Sequence, residues 1–312
     1  MAEFAGQIGH LDDIESPWGP AGGVVRTIEE VAAMARTGAG WIEAGSYTLL
    51  ARIGNGPNGE VVYYHDFDSG ETFNALGMPN RGMDVVETEI PEMVRIAHAH
   101  GNKKLVVNVA PVSEHPSGEA VQLASRAYAA GADAVLLNTG CPNVIKEGGE
   151  RHQILSYSLP ELRLTLDALK GVAERYRPIF VRLSPYSSVT QMTLAMQAVR
   201  ESGVVSAVFM PNTWPDERPA TGQGEQILEV PGGLGGLSGP AMAIPAAEQT
   251  QWAVEALWRS KIDVVSSSGI VTGKELERRL VLGAVAGAGT TFYYESPDWQ
   301  GDTDRLLHEL AE

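Results

Sequence analysis

The sequence holds a single cysteine, Cys141, among 312 residues. A lone thiol closes no intramolecular disulfide and builds no thiolate zinc site, which excludes a secreted disulfide scaffold and a zinc ribbon and fits a reducing cytosol. Basic charge is also scarce: 23 Lys+Arg stand against 39 Asp+Glu, a formal net charge of −16. Such a chain repels the phosphate backbone of a nucleic acid and the anionic face of a membrane, so neither is an expected partner. No run approaches the ~18 consecutive apolar residues of a membrane-spanning helix. The start, 1–9, carries Glu3 where a signal peptide carries Lys or Arg. The expectation is a cytoplasmic protein without a targeting segment. What is present, 44% hydrophobic against 20% charged residues, suffices for a sizeable core, so 1–312 reads as one folded domain rather than disorder.

Short apolar runs alternate with longer segments of helical period, the pattern of a parallel sheet with crossover helices. The runs fall at 16–22, 41–44, 105–109, 134–137, 179–183, 207–210, 263–267 and 285–288. Helices are predicted after a Thr27 N-cap and over 90–100, 118–130, 159–175, 188–201, 240–259, 274–282 and 303–311. An eight-stranded β/α barrel needs about 250 residues, leaving room for insertions. A doubly wound sheet is the competing architecture, but its Gly-x-Gly-x-x-Gly after the first strand is absent. Gly- and Ser-rich clusters instead follow the runs along the whole chain, as ligand loops do at one rim of a barrel. The fold expected is therefore α/β, an eight-stranded (β/α)8 TIM barrel, with two polar segments, 51–73 and 213–233, as hairpin insertions over the carboxyl rim.

Cys141 lies in Leu137-Asn138-Thr139-Gly140-Cys141-Pro142-Asn143, directly after an apolar run, so it emerges at the carboxyl end of a strand, where barrel catalysis occurs. Asn138 and Asn143 flank it with neutral donors and acceptors that suit a planar, amide-like ligand better than a phosphate or metal. Asn74 and Asn212 end other runs. Singly each reads as a turn residue; together the four carboxamides can orient a substrate in an apolar pocket. Glycine clusters at 232–239, 266–269 and 287–290 can cradle a phosphate with backbone N–H groups. His98 and His100 stand two apart on a predicted helix and face different ways, so they read as solvated helix-end side chains sharing no metal. Residues 65–68 read as a surface hairpin, and the acidic run 87–92 as a solvated face leading into a helix. No metal site is expected.

The arrangement resembles the dihydroorotate dehydrogenase family, FMN flavoproteins built on a β/α barrel. Six motifs in order carry the resemblance: Asn74–Asn80, Leu137–Asn143, Val181–Pro185, Pro211–Thr213, Gly235–Gly239 and Ser268–Gly273 are similar to Asn-Ser-Met-Gly-Leu-Pro-Asn, Leu-Asn-x-Ser-Cys-Pro-Asn, Val-Lys-Leu-x-Pro, Val-Asn-Ser, Gly-Gly-Leu-Ser-Gly and Gly-Gly-Ile-x-x-Gly. The resemblance implies oxidation of dihydroorotate to orotate in pyrimidine biosynthesis. Cys141 would be the general base, with hydride transfer to flavin N5 and a closing loop at 144–157. Asn74, Asn138, Asn143, Asn212 and Thr213, with the backbone of Leu76, Gly77 and Met78, would bind substrate. Ala21, Gly22, Gly45, Ser46, Asn138 and Arg182 would line the flavin ring and ribityl chain, and Gly239, Ser268, Gly269, Gly289 and Thr290 would hold its phosphate. Oxidising a saturated C–C bond beside a carbonyl needs an electron sink that no side chain supplies, which also implies the cofactor.

A cysteine base implies the soluble class, with a fumarate-like acceptor and a homodimer, since the quinone class has serine there and an N-terminal helical extension. Trp252 and Trp258 could serve an interface or the packing of the barrel exterior. The chain departs from the family pattern around the flavin. Gly45 stands where the soluble class has Lys, Arg182 replaces the flavin-facing Lys while keeping its charge, Gly140 replaces a Ser, and Ser268 replaces a phosphate-loop Gly. A relative acting on another cyclic amide or enone is the alternative. A flavin-free phosphosugar lyase or isomerase barrel, and a non-catalytic binding protein, are further readings that the absence or presence of flavin colour separates.

Overall fold

A barrel strand is buried on both faces, and the computed structural model shows where each face goes. It describes residue 4 and residues 6–312 except 146–148, 174, 176–177, 220–223 and 295. Four expectations fall partly outside the described residues: the start with Glu3, the closing loop 144–157 at 146–148, the helix 159–175 at 174, and the second insertion at 220–223.

Twelve strands are present among the described residues, numbered in chain order: β1 (Trp18–Pro20), β2 (Trp41–Tyr47), β3 (Tyr63–His65), β4 (Thr72–Asn74), β5 (Lys104–Val109), β6 (Ala134–Asn138), β7 (Ile179–Arg182), β8 (Val205–Met210), β9 (Trp214–Glu217), β10 (Gly235–Ser238), β11 (Asp263–Ser267) and β12 (Ala286–Gly289). Eight of them pair in parallel in the order β1-β12-β11-β8-β7-β6-β5-β2. Gly40 N donates to Trp18 O at 2.8 Å beside the remaining gap between β1 and β2, so the barrel is nearly closed. The principal helices are α1 (Ile28–Ala35), α2 (Met83–Ala99), α3 (Pro116–Ala129), α4 (Leu159–Ala168), α5 (Lys170–Ala173), α6 (Val189–Ser202), α7 (Ala243–Ala256), α8 (Gly273–Val281), α9 (Thr291–Tyr294) and α10 (Trp299–Ala311).

Period-two alternation divides each strand between two cores. Leu105, Val107, Val109, Val135, Leu137, Val181 and Val208 face outward against the helices. Trp41, Val106, Leu136, Phe180 and Phe209 face inward, filling the barrel. Ile8, Leu11 and Ile14 join this interior cluster, and Gly9 N donates to the carboxylate of Asp263 at the start of β11, so residues 8–14 close the amino end. A ligand can then enter only from the carboxyl end.

Thr27 caps α1 as its sequence predicts: Thr27 Oγ1 accepts from Glu30 N and Glu30 Oε2 accepts from Thr27 N, at 3.2 and 3.0 Å. Helix α2 begins seven residues before the expected start at Ile90, so the acidic run 87–92 lies within it. Pro91 is tolerated inside the helix because Met83, Val86, Ile90, Met93 and Ala97 bury a continuous stripe. His98 is not simply solvated: its Nε2 lies 2.9 Å from Asp133. Trp252 packs on the outer core, whereas Trp258 is 71% exposed.

The two insertions do not form independent hairpins. They share one antiparallel sheet in the order β3-β4-β10-β9, with Phe73, Leu228, Val230 and Leu237 in a small core of its own. Two polar segments distant in sequence pair here because each alone would leave a bare strand edge. Gly235 and Gly236, expected in a phosphate cradle, are strand residues of this sheet.

Candidate active site

At the carboxyl ends of the barrel strands a cavity encloses about 1170 Å³ of non-protein space, solvent at its mouth included. Every residue that the family resemblance sets against substrate or flavin lines it: Cys141, Asn74, Leu76, Gly77, Met78, Asn138, Asn143, Asn212 and Thr213, together with Ala21, Gly22, Gly45, Ser46, Arg182, Gly239, Ser268, Gly269, Gly289 and Thr290. Hydrogen bonds hold the four carboxamides. Asn138 Nδ2 donates to Ser46 Oγ at 2.9 Å, and Asn143 Nδ2 donates to Asn74 Oδ1 at 2.8 Å. Asn74 Nδ2 donates to Gly236 O, and Asn212 Nδ2 to Gly140 O. Carboxamides fixed in this way are pre-organised along the cavity wall.

Cys141 keeps partial exposure. Burial nevertheless pushes its thiol up to about 11, against smaller lowering effects from a backbone hydrogen bond involving Asn143 and from the Arg52 and Arg151 guanidinium groups. The thiol is therefore protonated at neutral pH, and proton removal by it requires the small thiolate fraction or a change in surroundings when substrate is bound.

Two residues behind the cavity floor, Glu43 and Asn108, lie outside every sequence motif. Glu43 and Arg182, 0% and 2% exposed, form a fork-to-fork ion pair: Arg182 Nη1 donates to Glu43 Oε1 and Nη2 to Oε2, the latter at 2.8 Å. Asn108 Nδ2 also donates to Glu43 Oε1, at 2.6 Å. Arg182 keeps the charge of the family's lysine, as expected from its residue type, but Glu43 compensates that charge within the floor. The signal was in the strands: Trp41 and Glu43 on β2, Val106 and Asn108 on β5, and Phe180 and Arg182 on β7 are spaced by two, so each polar residue sits one step above an inward apolar one. Cavity-lining residues also missed include Arg26, Tyr63, Thr72, Ser238, Thr291 and Tyr294. Tyr63 and Tyr294 stack with centroids 5.2 Å apart, and the hydroxyls of Thr72, Ser238 and Thr291 form a triangle with sides of 2.6, 2.9 and 3.1 Å, joining the covering sheet to the barrel.

The backbone explains one departure from the family pattern, Gly45. A Cβ on Gly45 would stand 2.3 Å from the carbonyl oxygen of Asn108, and φ there is +133°, so the lysine of other sequences has no room at this position. A Cβ on Gly22 would stand 2.8–3.0 Å from Asn108 Nδ2, Arg182 Nη1 and Glu43 Oε1, so bare backbone covers the ion pair. Ser268 takes φ +64°, a left-handed conformation that suits the glycine found there in the family pattern. The Oγ of Ser268 and the Oδ1 of Asn143 are buried with no protein partner. Two such orphans on the wall of one cavity are what a polar ligand would satisfy. They fit a phosphorylated flavin and a polar substrate: Ser268 adjoins Gly269 in one of the glycine clusters, and Asn143 lies two residues from Cys141.

Fold and site together define a β/α-barrel enzyme with a thiol and carboxamide centre at its carboxyl rim. The sequence model of the family described as dihydroorotate dehydrogenase matches residues 8–311, and the chain belongs to that family. Among curated relatives, it is 27% identical to a dihydroorotate dehydrogenase (quinone) of Kineococcus radiotolerans, over 96% of this chain and 79% of that one. It is 29% identical to a dihydroorotate dehydrogenase A (fumarate) of Lacticaseibacillus paracasei, over 80% and 78%. It is 31% identical to the catalytic subunit of a dihydroorotate dehydrogenase B (NAD(+)) of Anoxybacillus flavithermus, over 85% and 78%. The fold matches that of ligand-free DHODH from Eimeria tenella with a TM-score of 0.78 at 20% identity, covering 95% of this chain and 83% of that one.

Proposed function

We propose that this chain oxidises dihydroorotate to orotate with FMN, Cys141 acting as general base. One observation carries the reading: nineteen residues drawn from six separated motifs, and from loops between them, line a single cavity. The family's enzymes are flavin-dependent oxidoreductases acting on CH–CH bonds in pyrimidine biosynthesis.

Ala21, Gly22, Gly45, Ser46 and Arg182 would hold the flavin ring and ribityl chain, and Gly239, Ser268, Gly269, Gly289 and Thr290 its phosphate. FMN supplies the two-electron acceptor that the chain's own side chains lack. Asn74, Asn138, Asn143 and Asn212, with Thr213 and the backbone of Leu76, Gly77 and Met78, orient the pyrimidine and its carboxylate. Cys141 removes the proton next to the carbonyl while hydride leaves the neighbouring carbon. Covering the cavity with substrate excludes water and strengthens the carboxamide contacts. The segment 144–157 is the proposed closing loop; Tyr157 Oη donates to Pro185 O at 2.6 Å and ties its end to the barrel.

A soluble, fumarate-like acceptor, a cytoplasmic location, a homodimer and a single FMN-binding unit over 1–312 complete the proposal. The lone cysteine and the acidic charge support the location, since they suit a reducing, aqueous compartment. No described helix is long and apolar enough to cross a membrane. The test is an anaerobic absorbance spectrum of the FMN-loaded protein before and after dihydroorotate. Bleaching of the flavin band is expected, and an unchanged band refutes the substrate. A second reading, a neutral cyclic amide as substrate, is favoured by the cavity's charge. Its only lining cations among the described residues are Arg26 and Arg182, and Arg182 is already paired. Failure to bind orotate would select that reading.

A further inference from the structure

We infer that Glu43 is a positioning residue that makes the cavity floor electrically neutral beneath the flavin and thereby holds the flavin's reduction potential down. The inference rests on the reading that Arg182 faces FMN. Arg182 lines the cavity, whereas Glu43 lies behind it, in contact with Arg182 and Asn108 and fully enclosed. A guanidinium stays charged at every pH a protein survives. Unpaired at this floor, it would stabilise the negative charge that a flavin gains on reduction and so raise the potential.

The fork-to-fork geometry alters both charge and direction. Two of the five N–H donors of Arg182 are committed to the two oxygens of Glu43, which fixes the plane of the group and leaves the remaining edge for a ligand. Phe209 supports that plane from below, its ring centroid 5.6 Å from Arg182 Cζ. Asn108 donates to the same carboxylate and keeps it from rotating away. A lysine, the residue of the family motif, offers a single rotatable ammonium and could not be held in this two-point way. The glycine at position 22 belongs to the same device, since any side chain there would strike all three polar groups.

The experiment compares flavin midpoint potentials of three FMN-loaded proteins, measured by dye-equilibrated reduction: wild type, Glu43→Gln, and Glu43→Gln combined with Arg182→Gln. The first variant leaves a formal charge of +1 on the pair, the second restores zero. The expected result for Glu43→Gln is at least a tenfold gain in the binding of reduced over oxidised FMN, a positive shift of about 30 mV for a two-electron couple. The double variant is expected to return to the wild-type value. If Glu43→Gln does not fold, Glu43→Asp carries the test: it keeps the charge but draws the carboxylate back by one methylene, and a smaller rise is expected. A flavin-loaded single variant with wild-type potential overturns the inference, as does a double variant displaced as far as the single one, because that pattern reports geometry rather than charge. Wild-type protein that takes up no FMN would instead refute the cofactor reading itself.

Discussion

If Cys141 is the base, the rate of proton removal follows the thiolate population. With its thiol held near 11 by burial, the thiolate fraction in the free enzyme is about 10⁻⁴ at pH 7 and rises about tenfold per pH unit below that value. The second-order rate of flavin reduction reports the free enzyme's essential base. Measured by anaerobic stopped flow at limiting dihydroorotate, it is expected to climb with a slope of one on a logarithmic plot from pH 6.5 to 9.5, about a thousandfold in all. The direction follows from the cause, since desolvation disfavours the charged thiolate and pushes its formation to high pH. Burial under bound FMN adds desolvation and cannot reverse that sign. Replacing Cys141 by Ala removes the base and should cost about 10²- to 10⁴-fold in the same rate, with the flavin spectrum retained. A rate that levels off below pH 8, or an alanine variant keeping more than a tenth of wild-type activity, would refute the reasoning.

Three further outcomes are expected. Arg182→Ala leaves the enclosed carboxylate of Glu43 without its counter-ion and should destabilise the FMN-free protein by about 3–5 kcal/mol; an unchanged urea midpoint would contradict the ion pair's place in the fold. Gly45→Lys restores the residue of the family pattern, but the contact with the Asn108 carbonyl and the left-handed backbone should cost more than about 1 kcal/mol in stability and weaken FMN binding at least tenfold. Fluorescence titration with FMN checks it, and wild-type affinity would mean that the loop has room. FMN at a hundredfold excess over its dissociation constant should stabilise the wild-type protein by about 2.7 kcal/mol, read as a rise in melting temperature; no rise would argue against a built FMN site.

Much of the site was legible before any coordinates, for an identifiable reason. In a barrel, each catalytic loop is the short stretch just after an apolar run, so linear order already places Asn138, Cys141, Asn143 and Asn212 at one rim, whereas Asn74 ends β4 of the covering sheet and reaches the cavity through that sheet. Glu43 and Asn108 were not legible in that way. They sit within strands rather than after them, and only the partner across the barrel distinguishes an inward carboxylate from a buried mistake. The covering sheet escaped for a related reason: β4 and β10 are more than 150 residues apart, and their pairing is a matter of edge hydrogen bonds that leave no local pattern. Helix α2 starts seven residues before the expected Ile90, because the buried stripe runs on through Met83 and Val86 beneath the acidic residues.

The sequence by itself determined the barrel, since period-two runs separated by helical segments admit few other packings, and it brought the motif residues to one cavity, since residues after those runs have one rim to occupy. Only the tertiary structure decided the electrostatics of that site. Whether Arg182 confronts a ligand as a full charge, and whether the thiol of Cys141 is readily ionised, depends on distances of a few ångströms to groups on other strands and on exclusion from water. Coulomb energy and desolvation both vary steeply over those distances, and no linear spacing encodes them.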